Sequence, residues 1–107
     1  MSKLVFLFND LSKFVVRITE VGYYDTCVEL GVAPCRIAKL NGLTATPDQG
    51  SLVYIEREIK TFLYTVKPED EIEYLCKTFG VDEQDLLEYN SIEYIYPYQI
   101  LEIPLVK

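Results

Sequence analysis

Side chains able to do acid–base or nucleophilic chemistry are scarce in this sequence. Its 107 residues include no histidine, and no serine stands in a Gly-x-Ser-x-Gly setting. The densest acidic group is Glu69, Asp70 and Glu71, and two carboxyl groups are all that glycoside hydrolysis requires. Adjacent acids on a surface turn are more typical of a helix start, where the helix dipole favours negative charge. We therefore predict that the protein is not an enzyme.

The three cysteines, Cys27, Cys35 and Cys76, form no Cys-x-x-Cys pair, and without histidine the common zinc spacings are missing. We predict no cofactor and no metal site. Cys27 and Cys76 are expected to be small buried side chains. Cys35 is expected in the first turn of a helix, where a thiol is more reactive. The odd cysteine count favours free thiols, and a disulfide between Cys27 and Cys35 stays open.

Three tyrosines alternate near the carboxyl end, at Tyr94, Tyr96 and Tyr98. In an extended segment they would share one face. A tyrosine ring can stack on a pyranose while its hydroxyl bonds to the polar edge of the sugar. Aromatic side chains serve as often to close a small core, so both interpretations are kept.

The elements that would position these side chains occur twice. A Gly-Val pair begins at Gly31 and again at Gly80, and an asparagine follows each at the same distance, Asn41 and Asn90. Residues at helical spacing precede each glycine: Tyr23, Thr26, Cys27 and Leu30 in one case, Ile72, Leu75, Cys76 and Phe79 in the other. Glycine ends a helix in the left-handed conformation at little cost. Each half therefore predicts helix, tight turn, helix.

The second helix of each half also has boundary signals. Pro34 suits the first helical position, and Asp82 is a natural N-cap. Asn41 and Asn90 are expected to end these helices in a left-handed conformation, with side chains that hold a neighbouring loop. Strands are predicted at residues 14–18 and 52–55. The apolar run at residues 4–8 predicts an extra strand, paired in a hairpin with 14–18.

Three stretches of the second half, residues 64–72, 80–90 and 97–104, together resemble a LysM domain, and the shared Gly-to-Asn spacing extends the resemblance to the first half. The family has βααβ order, so the resemblance implies an α+β fold of two small LysM-like units in tandem. The implied domains are 1–58, with the extra N-terminal strand, and 59–107. LysM domains bind glycans that contain N-acetylglucosamine, such as peptidoglycan or chitin. The implied partner is a glycan of this type.

The resemblance also implies which residues would line a shallow glycan-binding groove in each half. In the second half these are Glu69, Asp70, Glu71 and Ile72 on one wall and Ser91, Ile92, Tyr94 and Ile95 on the other. In the first half they are Glu20, Val21, Gly22 and Tyr23 against Gly42, Leu43 and Thr44. The family usually has a Gly-Asp-Thr turn before its first helix, and both halves depart from it. Glu71 stands in place of the threonine and adds charge.

Charge is distributed unevenly. Residues 1–61 carry seven basic and seven acidic side chains, whereas residues 62–107 carry three and ten, so the second half holds the whole net charge of −7. An acidic surface repels nucleic acid and anionic lipid, and we expect neither as a partner. A basic protein is the alternative partner, for a LysM-fold interaction module in an intracellular assembly of the spore-coat or phage-tail type.

The amino terminus predicts where the chain acts. Residues 4–8 are too short for the apolar core of a signal peptide, and no apolar run approaches the length of a membrane span. The sequence as it stands is expected in the cytoplasm, or at the cell wall if it is a trimmed piece of a longer protein. Which glycan is bound, and whether the first half binds at all, stay open at this stage.

Overall fold

Two βααβ units follow one another in a computed structural model that describes residues 13–57 and 59–105. The first half contains β1 (Lys13–Arg17), α1 (Tyr23–Leu30), α2 (Pro34–Leu40) and β2 (Leu52–Glu56), and the second contains β3 (Thr61–Thr65), α3 (Ile72–Phe79), α4 (Glu83–Asn90) and β4 (Ile100–Pro104). The predicted α+β fold and its element order are confirmed. The predicted strand at residues 4–8 lies outside the described residues.

Each unit has its own antiparallel strand pair, β1 with β2 and β3 with β4. Val15 pairs with Tyr54 at the centre of the first pair, and Leu63 with Glu102 at the centre of the second. A two-stranded ribbon is marginally stable by itself. Its stability must come from the helices that cover one face.

The two hydrophobic cores differ in depth. The predicted face of α1, consisting of Tyr23, Thr26, Cys27 and Leu30, is buried. Of the matching face of α3 only Leu75 is buried, while Ile72, Cys76 and Phe79 lie partly exposed around it. Cys76 is therefore less protected than the sequence predicted. The second core is the shallower one because fewer of its side chains are closed off from water.

The helix ends follow the predicted signals at several positions. Gly31 and Gly80 are left-handed, with φ of 79° and 70°. Pro34 begins α2, and the Asp82 carboxylate accepts hydrogen bonds from the backbone N–H groups of Gln84 and Asp85.

The left-handed conformation expected of the two asparagines is wrong, and their side chains hold a strand where a neighbouring loop was expected. Asn41 has φ of −97°, and Asn90 is the last residue of α4, with Ser91 taking the left-handed position. Asn41 bonds both N–H and C=O of Tyr54. Asn90 does the same to Glu102. Each amide thus fastens the end of a helix to the central residue of the closing strand, where a left-handed backbone is not needed.

The halves are joined through the buried carboxylate of Glu102. One oxygen accepts from the backbone N–H of Ala33 and from Arg36 Nε, both at 2.7 Å. The other accepts from the Thr61 hydroxyl at 3.0 Å. The Arg36 guanidinium also lies over the Tyr89 ring, 4.6 Å from its centroid. Residues of both halves thus satisfy one charge at their junction.

Candidate functional site

The turn before α3 is held by Asp70. Its carboxylate accepts hydrogen bonds from the Tyr64 hydroxyl and from the backbone N–H of Lys67. The Tyr64 bond lowers the pKa of Asp70 and raises the pKa of Tyr64 to about 12. Asp70 therefore acts first as the brace of its own turn, which limits what it can offer a ligand.

The neighbouring residues of this predicted wall have different environments. Glu69 and Glu71 are exposed, and Glu71 is the N-cap residue of α3 without a capping bond from its side chain. Ile72 packs against the second core. A cleft of about 450 Å³ lies beside this turn, and it is lined by Tyr64, Lys67, Glu69, Asp70, Tyr74, Leu75, Thr78 and Phe79.

The opposite predicted wall is mostly structural. Ser91 is the left-handed residue after α4, and Ile92 and Ile95 pack against the core. Tyr94 alone projects, with 67% of its surface exposed. The residues of this wall are not among those that line the cleft beside the Asp70 turn.

The alternating tyrosines do not share one extended face. Residues 91–99 contain turns and bends but no strand, and Tyr98 is left-handed with φ of 69°. The rings of Tyr94 and Tyr96 meet edge to face, 6.2 Å apart. The extended backbone that a shared tyrosine face requires is therefore not present, because the chain turns between Tyr96 and Gln99.

In the first half, the connection from β1 to α1 consists of residues 18–22, one residue fewer than the connection from β3 to α3, residues 66–71. Glu20 and Val21 are exposed, and Gly22, with φ of 95°, is the N-cap of α1. Tyr23 is buried, and its hydroxyl donates to the carbonyl of Pro34. Burial is the main cause of its raised pKa. Tyr23 therefore belongs to the core with one edge toward the surface.

A second cleft, here called the tyrosine cleft, opens between α1, α2 and the loop that follows. Its volume is about 320 Å³, and its lining consists of Tyr23, Tyr24, Pro34, Cys35, Ala38, Leu43, Thr44, Ala45, Thr46, Pro47 and Tyr96. It brings together Tyr23, Leu43 and Thr44 of the predicted first-half groove. Gly42 is exposed outside this lining.

Sequence reasoning missed Tyr24, and it did not place Tyr96 in this cleft. The exposed fraction is 54% for Tyr24 and 49% for Tyr96. Burial, followed by the nearby Tyr96 hydroxyl, raises the pKa of Tyr24. Tyr24 directly follows the buried Tyr23 on α1. The helical spacing of the buried residues therefore predicts that Tyr24 is exposed. The position of Tyr96 depends on how the halves meet.

Comparison with known protein families finds a match within the second half of the chain. Residues 64–104 match the LysM domain. LysM domains are non-catalytic modules that generally bind peptidoglycan or chitin. The match covers the last two residues of β3, both helices of the second unit and all of β4.

Solved structures with similarity to the chain include two spore cortex-lytic enzymes named SleL. The Bacillus cereus enzyme is 22% identical, with a TM-score of 0.39, over 90% of this chain and 24% of that one. The Bacillus megaterium QM B1551 enzyme is 20% identical, with a TM-score of 0.46, over 86% and 22%. This chain thus spans about a quarter of the length of either structure. No curated protein sequence matches it.

In residues 13–57 and 59–105, no helix has the length and apolar character needed to cross a membrane. The same residues contain no cluster of three or more His, Cys, Asp or Glu side chains arranged to hold a metal ion.

Proposed function

We propose that the protein binds a glycan containing N-acetylglucosamine, of the peptidoglycan or chitin type, without catalysing a reaction. The observation that carries this proposal is the match of residues 64–104 to the LysM domain. Cell-wall association would follow wherever the protein meets such a polymer.

The proposed contacts in the second half are the residues the sequence indicated, with Tyr94 as the main stacking side chain. Its ring is largely exposed and contacts Tyr96. Glu69 and Ser91 would supply polar contacts at the groove edges, and Glu71 would lie at the same edge with its charge toward the sugar. The other proposed residues support the groove walls from within. Asp70 braces its turn, and the core holds Ile72, Ile92 and Ile95.

The proposed contacts in the first half lie around the tyrosine cleft. Tyr23, Leu43 and Thr44 line it. The other proposed contacts are outside this lining and adjoin it in sequence: Glu20, Val21 and Gly22 directly precede α1, and Gly42 directly precedes Leu43. A volume of about 320 Å³ is at the lower end of the range of ligand pockets. Such a cleft can enclose part of a sugar chain but not a long oligomer, so we expect weak binding by each contact surface.

Co-sedimentation tests the proposal directly. The protein is mixed with insoluble peptidoglycan, with chitin and with cellulose, which lacks the N-acetyl group. We expect retention on peptidoglycan or chitin, little on cellulose, and competition by soluble N-acetylglucosamine oligomers that strengthens with oligomer length. Failure to bind both N-acetylated polymers would contradict the proposal.

The second candidate function is that of a protein-interaction module, which has the LysM fold but does not bind glycan. The acidic surface favours it, because residues 62–107 carry ten acidic and three basic side chains. A basic partner, as in an assembly of the spore-coat or phage-tail type, would then meet exposed Glu69 and Glu71. This candidate would be supported if the protein binds one specific basic protein and binds no glycan. The double variant Glu69→Lys, Glu71→Lys should then lose binding of that basic protein.

A further inference from the structure

The tyrosine cleft is built from both halves of the chain. The first half supplies its floor and most of its rim through α1, α2 and the loop 43–47, and Tyr96 of the second half stands on its remaining side. Tyr24 and Tyr96 both line this cleft, and after burial the charge of Tyr96 is the next cause of the raised pKa of Tyr24.

Several contacts hold Tyr96 in this position. The Lys39 ammonium, on α2, donates to the carbonyl of Ser91 at 2.8 Å. This bond ties the start of residues 91–99, here called the tyrosine loop, to the first half. Within the loop, the backbone N–H of Tyr96 donates to the side-chain oxygen of Gln99 at 3.2 Å. Gln99 is itself buried. Tyr96 is thus placed by the fold, so its place at the cleft does not depend on a ligand.

Among the residues that the structure describes, the lining of the cleft is uncharged. None of its side chains is Asp, Glu, Lys or Arg, whereas the cleft at the second-half turn contains Lys67, Glu69 and Asp70. Pro34, Ala38 and Leu43 offer an apolar surface, and Thr44 and Thr46 offer hydroxyls. An apolar cleft with a few polar groups and two half-exposed tyrosines fits a neutral sugar with an apolar substituent, such as the methyl of an N-acetyl group.

We propose that the tyrosine cleft is one composite glycan site, in which a single N-acetylglucosamine chain is held between Tyr24 of the first half and Tyr96 of the second. This inference rests on the proposed function and narrows it to one site per protein that needs both halves. Tyr94, in edge contact with Tyr96, extends the site along the surface of the second half.

Calorimetric titration with soluble N-acetylglucosamine oligomers measures both the stoichiometry and the contribution of each ring. We expect one oligomer per protein. Tyr24→Ala and Tyr96→Ala should each weaken binding about tenfold, a change that corresponds to roughly 1.4 kcal/mol. Tyr98→Ala is the matched control, since Tyr98 belongs to the same loop, is 70% exposed and does not line the cleft.

A second kind of variant avoids any dependence on removing an aromatic ring. Ala45 is an exposed residue of the cleft rim, so Ala45→Glu places a charge at the cleft without disturbing the core. We expect it to weaken binding at least as much as Tyr24→Ala. Thermal unfolding of every variant checks that the fold is retained.

The outcomes separate this inference from the proposed function. Two independent oligomers per protein, or unchanged binding by the Tyr24, Tyr96 and Ala45 variants, would overturn the composite site and leave glycan binding intact. Absence of binding to any N-acetylated glycan, by polymer or oligomer, would overturn both. The composite site is supported if one oligomer binds per protein and if Tyr24→Ala in the first half and Tyr96→Ala in the second each weaken that binding.

Discussion

Arg36 Nε lies 2.7 Å from Oε2 of Glu102, and this ion pair spans the two halves with the carboxylate fully buried. Arg36 also donates to the backbone carbonyl of Glu56 at 2.9 Å. Glu102 thus accepts bonds from Ala33 and Arg36 of the first half and from Thr61 of the second. The ion pair therefore joins the two halves directly at a buried position.

Removing one member of this pair should be costly, because the other is left as an uncompensated buried charge. We expect Arg36→Met or Glu102→Leu to lower the free energy of unfolding by about 3–5 kcal/mol. The double variant should cost much less than the two single changes added together. Urea denaturation of the four proteins measures this coupling, and additive effects would show that the pair does not act as a unit.

The two asparagines provide a matched comparison of the halves. Asn90 is 1% exposed and Asn41 is partly exposed, yet both make the same pair of bonds to a strand residue. Replacement by alanine leaves a strand N–H and C=O without partners, which costs about 1–3 kcal/mol. We expect Asn90→Ala to lie at the upper end and Asn41→Ala at the lower. Chemical denaturation measures both changes, and the reverse order would contradict the burial argument.

Helix faces and helix ends could be predicted from the sequence because they depend on neighbours within a few turns. Leu30 and Leu75 fall on apolar helix faces, and Gly31 and Gly80 stand where a left-handed residue ends a helix. These signals are local. The α+β order of the elements follows from them together with the family resemblance.

Contacts between the halves could not be predicted in the same way. Arg36 pairs with Glu102, and Tyr24 and Tyr96 line one cleft, although the members of each set are far apart in sequence. Nothing in either local stretch specifies its distant partner. The tyrosine loop shows a related limit, because alternation predicts one face only if the backbone stays extended, and here it turns at Tyr98.

The three cysteines should react at different rates. Burial raises the pKa of Cys27 to about 11, which lowers the fraction of reactive thiolate at neutral pH. The pKa of Cys76 is also raised, by burial and then by the charges of Glu83 and Asp82. Cys35 lies partly exposed in the cleft lining. We expect labelling in the order Cys35, Cys76, Cys27.

Mass spectrometry after timed exposure of the native protein to a thiol reagent gives the order directly. Labelling in denaturant serves as the control, since the rates should then converge. Modification of Cys27 as early as Cys35 would contradict its assignment to the core.

The brace in the α3 turn should make stability depend on pH through Asp70. The folded-state pKa of Asp70 is lowered from 3.8, so its contribution is present above that value and is lost as the pH falls through the lowered pKa. Asp70→Asn should therefore be less stable than the parent at pH 7, and the difference should shrink in acid. Urea denaturation at pH 7 and at a pH below the lowered pKa of Asp70 tests this. If the two proteins differ in free energy of unfolding by the same amount at both pH values, ionisation of Asp70 is not involved.

The Glu71 position makes a prediction about binding rather than stability. Glu71 stands where the family has threonine, and its exposed side chain makes no capping bond. If it crowds or repels a sugar at the second-half groove, Glu71→Thr should tighten glycan binding several-fold with little change in unfolding. Glu69→Gln, which removes a neighbouring exposed charge without restoring the threonine, is the control. Titration with N-acetylglucosamine oligomers measures both variants. Equal gains would assign the effect to charge alone, whereas no gain in either would show that the bound chain does not approach this turn.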